Sequence, residues 1–192
     1  MLEISREQFM KDFWNYYIML ENDFRKTIAY VELDEINFKT FSKEYIKLYQ
    51  SICAEMDVIF KVVCGFNTDA YKNIINYSTE LLGEFPDIVD VKIKVLYSDI
   101  ELQPFKNWQK EESIAWWTAY NKVKHNRVDN AKDGNLKNIL TSLSALYLLE
   151  KYLIKKSKYF PDSPDKESSL FAIKDWNTSS RMVGGGAVII TH

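Results

Sequence analysis

Residues 41–63 read FSKEYIKLYQSICAEMDVIFKVV, a run in which large apolar side chains recur every three or four residues. This spacing places them on one face of an α-helix that packs into a core. The apolar positions are Phe41, Tyr45, Leu48, Ile52, Met56, Ile59 and Val63. The helix is predicted to begin near Asn37 and to end before Gly65, a residue that readily takes the left-handed conformation.

Four other segments show the same helical spacing of apolar residues. They run from about Ser5 to Val31, from Thr68 or Asp69 to about Gly83, from Ile114 to about His125 and from Leu136 to about Lys158. Ser5 and Ser113 are predicted N-caps, because a serine hydroxyl accepts hydrogen bonds from the free amides of a first helical turn. The segment between the last two helices, residues 126–135, has the composition of a turn.

One part of the chain departs from this helical spacing. In residues 89–95 valine and isoleucine alternate with aspartate and lysine, and residues 97–99 form a turn into Ile100–Leu102. An alternation of period two with β-branched residues is typical of a strand. Pro104 ends the pattern, so the sequence predicts an antiparallel two-stranded ribbon near residues 88–103.

These elements predict the fold class and its division. The chain is expected to be mainly α, an up-and-down helical bundle with a small inserted antiparallel β-ribbon. Residues 1–160 are predicted to form the helical domain, and residues 161–192 a connector and a C-terminal tail. The connector is expected to be exposed through residues 162–169, because it is polar. In the tail, Gly184–Gly186 predicts a hinge, and residues 187–190 a final strand that adds to the ribbon or to a partner.

The composition suits one globular domain with an aromatic core. The 192 residues are 46% hydrophobic and 15% aromatic. Residues 1–100 hold 11 Lys and Arg against 17 Asp and Glu, a net charge of −6, whereas residues 101–192 hold 14 against 10, a net charge of +4. A basic second half favours a phosphate-bearing partner such as RNA, or is ordinary solvated surface.

The cysteines and the apolar runs indicate a reducing, aqueous location. Cys53 and Cys64 lie roughly 16 Å apart if both are on one helix, which is too far for a disulfide, so both are expected to be reduced and buried. The sequence has neither a secretory signal nor an apolar run of about 18 residues. We therefore expect a cytoplasmic protein with no membrane partner.

Residues 116–127, WWTAYNKVKHNR, hold the main concentration of side chains suited to catalysis. Asn121 and His125 are four residues apart and share one face of the predicted helix. Because an imidazole titrates near neutral pH, His125 is a candidate general base on a ribose 2′-hydroxyl or acid toward a leaving oxygen. Asn121 would orient the histidine or the substrate. The candidate phosphate contacts are Lys122, Lys124 and Arg127, of which Arg127 is also a candidate catalytic cation.

This chemistry requires no metal. His192 is the second histidine of the chain and lies at its end. Cys53 and Cys64, eleven residues apart, do not have zinc-ligand spacing. The sequence therefore predicts no metal site and no cofactor.

Each of these residues also has a purely structural interpretation. His125 near a helix end is suited to interact with the helix dipole, and Asn121 is equally suited to be a buried amide. Lysines most often form solvated surface. Trp116 and Trp117 are expected to pack in the core or at a dimer face rather than to stack on bases.

The segment Tyr120–Arg127, YNKVKHNR, on a late helix of a helical chain, resembles the HEPN superfamily. Members are helical bundles, many of them ribonucleases in toxin, defence or RNA-processing systems. Their signature is an arginine, four to six residues and then a histidine, often with a polar residue directly after the arginine. Asn121 matches the polar position and His125 the histidine. The allowed arginine positions hold residues without a positive charge, namely Thr118, Ala119 and Tyr120.

The resemblance implies catalytic roles for Asn121 and His125 alone, whereas Arg127 or Lys124 as a substitute cation follows from chemistry. It also implies a homodimer in which two motifs face each other. The leading hypothesis is a metal-independent endoribonuclease of a toxin or defence type. The alternative is a catalytically inactive helical module that binds RNA or a protein partner, and a weaker one is a nucleotide-binding bundle.

Overall fold

The computed structural model describes residues 3–157, 164 and 166–173. The chain is mainly α-helical with a small antiparallel sheet, which confirms the predicted fold class. The helices are α1 (Arg6–Phe9), α2 (Asn15–Thr27), α3 (Lys43–Val63), α4 (Ile74–Glu84), α5 (Ala115–His125), α6 (Arg127–Asn130) and α7 (Leu136–Lys156). The strands are β1 (Ile93–Val95), β2 (Glu101–Leu102) and β3 (Phe171–Ile173).

Helices α3 and α7 form the centre of the bundle. Each has 21 residues, a length of roughly 31 Å, and their mutual contact is the most extensive in the fold. The apolar stripe of α3 is buried as its spacing predicts, apart from Phe41, which precedes the helix and is 46% exposed. Residues 142–154 of α7 are all buried, because α2, α3, α5 and β3 all pack against this helix.

The start of α3 differs from the prediction. Asn37 ends a short 3-10 helix, Glu35–Asn37, which the Asp34 side chain caps through the amide of Ile36. The helix itself begins after Ser42, whose hydroxyl accepts from the amide of Tyr45 at 3.0 Å. Asp34 and Ser42 therefore cap two separate helices where the sequence predicted one. Gly65 takes the left-handed conformation, as predicted, with φ +72°.

The N-terminal segment is continuously helical from Arg6 to Thr27, since a π-helical segment, Met10–Trp14, connects α1 and α2. Ser5 is its N-cap, as predicted. The helix ends at Thr27, short of the predicted Val31.

Helix α4 begins later than predicted. Asn73, not Thr68 or Asp69, is the cap: its side chain accepts from two first-turn amides, and the Asn76 side chain accepts from the amide of Asn73. The upstream residues form a turn instead, because the Asn67 side chain accepts from the amide of Asp69 at 3.0 Å.

Two more local predictions are wrong around α5. Ser113 does not cap this helix; its hydroxyl bonds to the Thr118 hydroxyl at 2.9 Å, and Ile114 takes the N-cap position. The predicted turn at residues 126–135 contains α6, whose Asp129 amide donates to the side-chain oxygen of Asn126. Asn126 thus ends one helix and begins the next.

The sheet has the order β2–β1–β3, and both pairings are antiparallel. The ribbon prediction is correct for β1 and β2, but its first residues are helical, because Pro86 fits the start of a 3-10 helix, Pro86–Asp90. Strand β3, in which Phe171 pairs with Val95, was not predicted from the sequence. The predicted hinge and strand at 184–190 lie outside the described residues.

Glu21 holds the segment before β3 against α2. Its buried carboxylate accepts hydrogen bonds from the amide of Ser169 at 2.9 Å and from the Ser169 hydroxyl at 2.6 Å. The hydroxyls of Tyr17 and Ser168 also donate to it. Ser168 is consequently buried, although this segment was expected to be exposed. Within the described part of the chain, no helix is both long and apolar enough to span a membrane.

Candidate functional site

A cleft with a volume of about 700 Å³ lies between α5 and the C-terminal half of α3. One side, the α5 wall, consists of Trp117, Tyr120, Asn121, Lys124 and His125. The other side, the opposite wall, consists of Cys53, Ala54, Asp57 and Lys61 of α3 together with residues 71–74 before and at the start of α4. The volume lies in the range of sites that enclose small-molecule ligands.

The α5 wall follows directly from helical spacing. Residues three and four apart lie on one helix face, and these five positions follow that rule. Asn121 is half-buried, whereas Lys124 and His125 are exposed. The structure thus brings the predicted amide, imidazole and one predicted cation together in one cleft.

Two tryptophans fix the position of α5. Trp116 is 4% exposed and its ring nitrogen donates to the carbonyl of Pro104 at 2.8 Å. The Tyr49 hydroxyl donates to the Trp116 carbonyl. Trp117, 6% exposed, packs edge-on against Phe60 of α3. Both rings are core residues of this chain.

Two charged residues of the opposite wall are held in place by side-chain contacts. Asp57 and Lys61 are one helical turn apart on α3, and the carboxylate lies 3.0 Å from the ammonium. The other oxygen of Asp57 accepts from the hydroxyl of Tyr77 at 2.6 Å. Burial raises the pKa of Tyr77 well above its ordinary value, and the bond to Asp57 adds to the rise. The phenol therefore stays protonated and keeps donating.

Residues 71–74 add an aromatic ring and a further cation. Tyr71 is 94% exposed although it lines the cleft. The Lys72 ammonium lies 4.4 Å from the centre of the Phe66 ring, a favourable cation–π distance. The Asn73 cap fixes the point where this segment meets α4.

The cleft is electropositive. Its lining holds three lysines and one aspartate, a formal charge of +2 with a neutral imidazole. Burial raises the pKa of the Cys53 thiol well above its usual value despite the nearby Lys124, and it raises the pKa of Tyr120 to about 12. Cys53 is therefore a neutral thiol rather than a nucleophile. Because of its net positive charge, the cleft is suited to an anionic ligand.

The remaining predicted site residues do not line this cleft. Lys122 is exposed on α5, and Arg127 is the exposed first residue of α6. Their predicted phosphate contacts stay predictions. Among the described residues, no group of three or more His, Cys, Asp or Glu side chains is arranged to hold a metal ion. Both cysteines are free, as predicted, with Cys53 buried and Cys64 half-buried.

The residues of the opposite wall were not predicted as site residues from the sequence. Asp57 and Lys61 carried a signal, because an acid and a base four residues apart face away from the apolar stripe of α3. Such pairs are common on helix surfaces, so only the packing of α5 beside them distinguishes this one. Tyr71 and Lys72 had no signal beyond an aromatic residue next to a lysine.

Comparison with known proteins adds no relative: no protein-family profile, no curated protein and no solved structure matches this chain. The HEPN resemblance of residues 120–127 therefore stays a prediction.

Proposed function

We propose that this protein is a metal-independent endoribonuclease of a toxin or defence type, and that RNA binds in the cleft between α3 and α5. The observation that carries the proposal is that His125, Asn121 and Lys124 line one electropositive cleft. A positive cleft attracts the RNA backbone, and a neutral imidazole accepts a proton near physiological pH.

In the proposed reaction, His125 removes the proton from a ribose 2′-hydroxyl. The freed oxygen attacks the adjacent phosphorus, the bond from phosphorus to the 5′-oxygen breaks, and the leaving oxygen takes up a proton. The products are a 2′,3′-cyclic phosphate and a 5′-hydroxyl end. Lys124 stabilises the charge on the phosphate oxygens, and Asn121 orients the ribose or the imidazole.

A homodimer is part of the proposal. The attacking 2′-oxygen and the leaving 5′-oxygen lie on opposite sides of the phosphorus, so a single imidazole is poorly placed both to remove the first proton and to deliver the second. In a dimer whose motifs face each other, as the resemblance implies, a second copy would bring a second imidazole. Two clefts side by side would also double the positive charge that the RNA meets.

The test is incubation of purified protein with a mixed RNA substrate in the presence of a metal chelator, followed by mapping of the cleavage ends. We expect cyclic-phosphate ends from the native protein and a loss of at least about 100-fold in rate for His125→Ala. The matched control is Val128→Ala, which changes an 85% exposed residue three positions away that does not line the cleft. Equal cleavage by the native protein and by His125→Ala would remove His125 from the mechanism.

A second candidate function is RNA binding without cleavage. One feature favours it. Among the described residues, the lining of the cleft contains a single histidine, whereas the reaction needs one group that removes a proton and one that delivers a proton. The native protein is tested as a dimer in metal-free buffer. If it binds RNA and leaves the RNA intact, RNA binding without cleavage is favoured over the ribonuclease.

A further inference from the structure

We propose that Lys61, positioned by Asp57, binds an RNA phosphate and supplies the fixed cation that the motif on α5 lacks. This inference rests on RNA as the ligand of the proposed function. It assigns a role to a residue on the opposite wall, away from residues 120–127, where the cation was predicted.

Side chains from two helices hold Lys61 in place. The Tyr77 hydroxyl on α4 donates to one oxygen of Asp57, and the other oxygen pairs with the Lys61 ammonium. Asp57 is thereby bound from both sides, and its negative charge is spread over two contacts. An ammonium carries three N–H donors, more than the single ion pair with Asp57 requires, so Lys61 retains the capacity to bind a phosphate oxygen.

The burial of Lys61 distinguishes it from Lys124, the cation of the α5 wall. Only 16% of its side chain is exposed, whereas Lys124 is an exposed residue. A side chain whose stem is already packed loses less conformational freedom when it binds a ligand. A cation that is fixed beforehand also stabilises developing charge more effectively than a mobile one.

The same helix provides a comparison. Lys47 pairs with Glu44 at 2.6 Å, but both side chains are at least half exposed, at 65% and 50%. This pair lies roughly 21 Å from Lys61 along the helix axis and does not line the cleft. It is an ordinary surface ion pair, whose lysine makes a matched control.

The experiment measures equilibrium binding of a fluorescent single-stranded oligoribonucleotide by anisotropy over a range of salt concentrations. All proteins carry His125→Ala so that the RNA stays intact. In this background we expect Lys61→Ala to weaken binding about tenfold at low salt and to lower the slope of log K against log salt by about 0.7, the loss of one phosphate contact. Lys61→Arg should keep the slope, and Lys47→Ala should leave affinity and slope unchanged.

Asp57→Asn tests the positioning role. If Asp57 acted only through its charge, its removal would make the cleft more positive and tighten binding. Positioning predicts weaker binding in spite of the gained charge. Circular dichroism of each variant verifies that it is folded.

The outcomes separate this inference from the proposed ribonuclease. RNA binding that depends on Lys61 supports the inference, whether or not the native protein cleaves RNA. Binding in which Lys61→Ala behaves like Lys47→Ala overturns it and leaves the cleavage proposal standing. Absence of any RNA binding overturns both.

Discussion

The two walls of the cleft carry similar chemistry but are built in different ways. The α5 wall comes from five positions within nine consecutive residues of one helix. The opposite wall comes from α3 and from residues 71–74, which meet α5 only in the folded chain. Groups on one helix are placed by its period, whereas groups on two elements are placed by packing. The first kind of site is visible in a sequence, and the second is not.

Loss of the ring that joins the two walls should have the largest effect. Trp117 lies on α5 and packs against Phe60 of α3 and against Tyr120. We expect Trp117→Ala to lower the free energy of unfolding by about 3–5 kcal/mol, measured by urea denaturation. Trp117→Phe, which keeps a ring, should cost less. A loss below about 1 kcal/mol for the alanine variant would mean that the walls are held together elsewhere.

A buried carboxyl on α7, close to Glu55 of α3, should make stability depend on pH. Glu150 of α7 is fully buried, and neither of its carboxylate oxygens has a hydrogen-bond partner among the described residues. Burial, with repulsion from Glu55, raises the pKa of Glu150 well above its ordinary value, and burial raises the pKa of Glu55 to about 7. The folded state therefore holds these protons more tightly than the unfolded state. The stability that these two carboxyls contribute is greatest below the ordinary pKa of about 4.5 and is lost as the pH rises through their folded values.

Glu150→Gln removes the part of this dependence that belongs to Glu150. At pH 8 we expect the variant to be more stable than the native protein by on the order of 1–3 kcal/mol, because the amide never becomes charged. The difference should shrink toward pH 4.5. Urea denaturation at several pH values measures it, with Glu80→Gln, an exposed carboxylate on α4, as the control. An identical difference at every pH would contradict a titrating Glu150.

The support of Asp57 should have a smaller effect. Tyr77→Phe removes only the hydroxyl that donates to Asp57, and we expect a loss of about 1 kcal/mol in unfolding free energy. Tyr97→Phe is the matched control, because Tyr97 is 98% exposed. Equal stability of the two variants would show that the opposite wall does not rely on this bond.

Tyr71 should have the smallest effect on stability and a clear one on binding. Its side chain is 94% exposed, so Tyr71→Ala should change the unfolding free energy by less than about 0.5 kcal/mol. If an RNA base stacks on the ring, the same change weakens oligoribonucleotide binding at least about fivefold, and Tyr71→Phe restores it. Tyr30→Ala, at an 89% exposed tyrosine that does not line the cleft, should alter neither property.

Periodicity predicted the helices well and their ends poorly. The buried stripe of α3 and the left-handed Gly65 follow from local spacing and local conformation. The starts of α3 and α4 were misplaced because several capping residues stand close together, and the structure uses Ser42 and Asn73.

Long-range contacts account for what the sequence did not predict. Strand β3 has three residues, too few for a recognisable alternation, and it pairs with a strand far away in the chain. Glu21 binds the segment before this strand, but the sequence gives no indication of that pairing. In the cleft, Asn121 and His125 were found by their spacing, while Asp57 and Lys61 became recognisable only beside α5.

The position of β1 between β2 and β3 has a consequence for synthesis on the ribosome. Because the chain emerges from its N-terminus, β1 and β2 can pair soon after residue 102 leaves the exit tunnel. The other edge of β1 remains uncovered while α5, α6 and α7 are made, until residues 171–173 emerge. An open strand edge readily pairs with another chain. Nascent chains on one messenger can therefore pair wrongly along this edge during the interval, which ends when β3 pairs with β1.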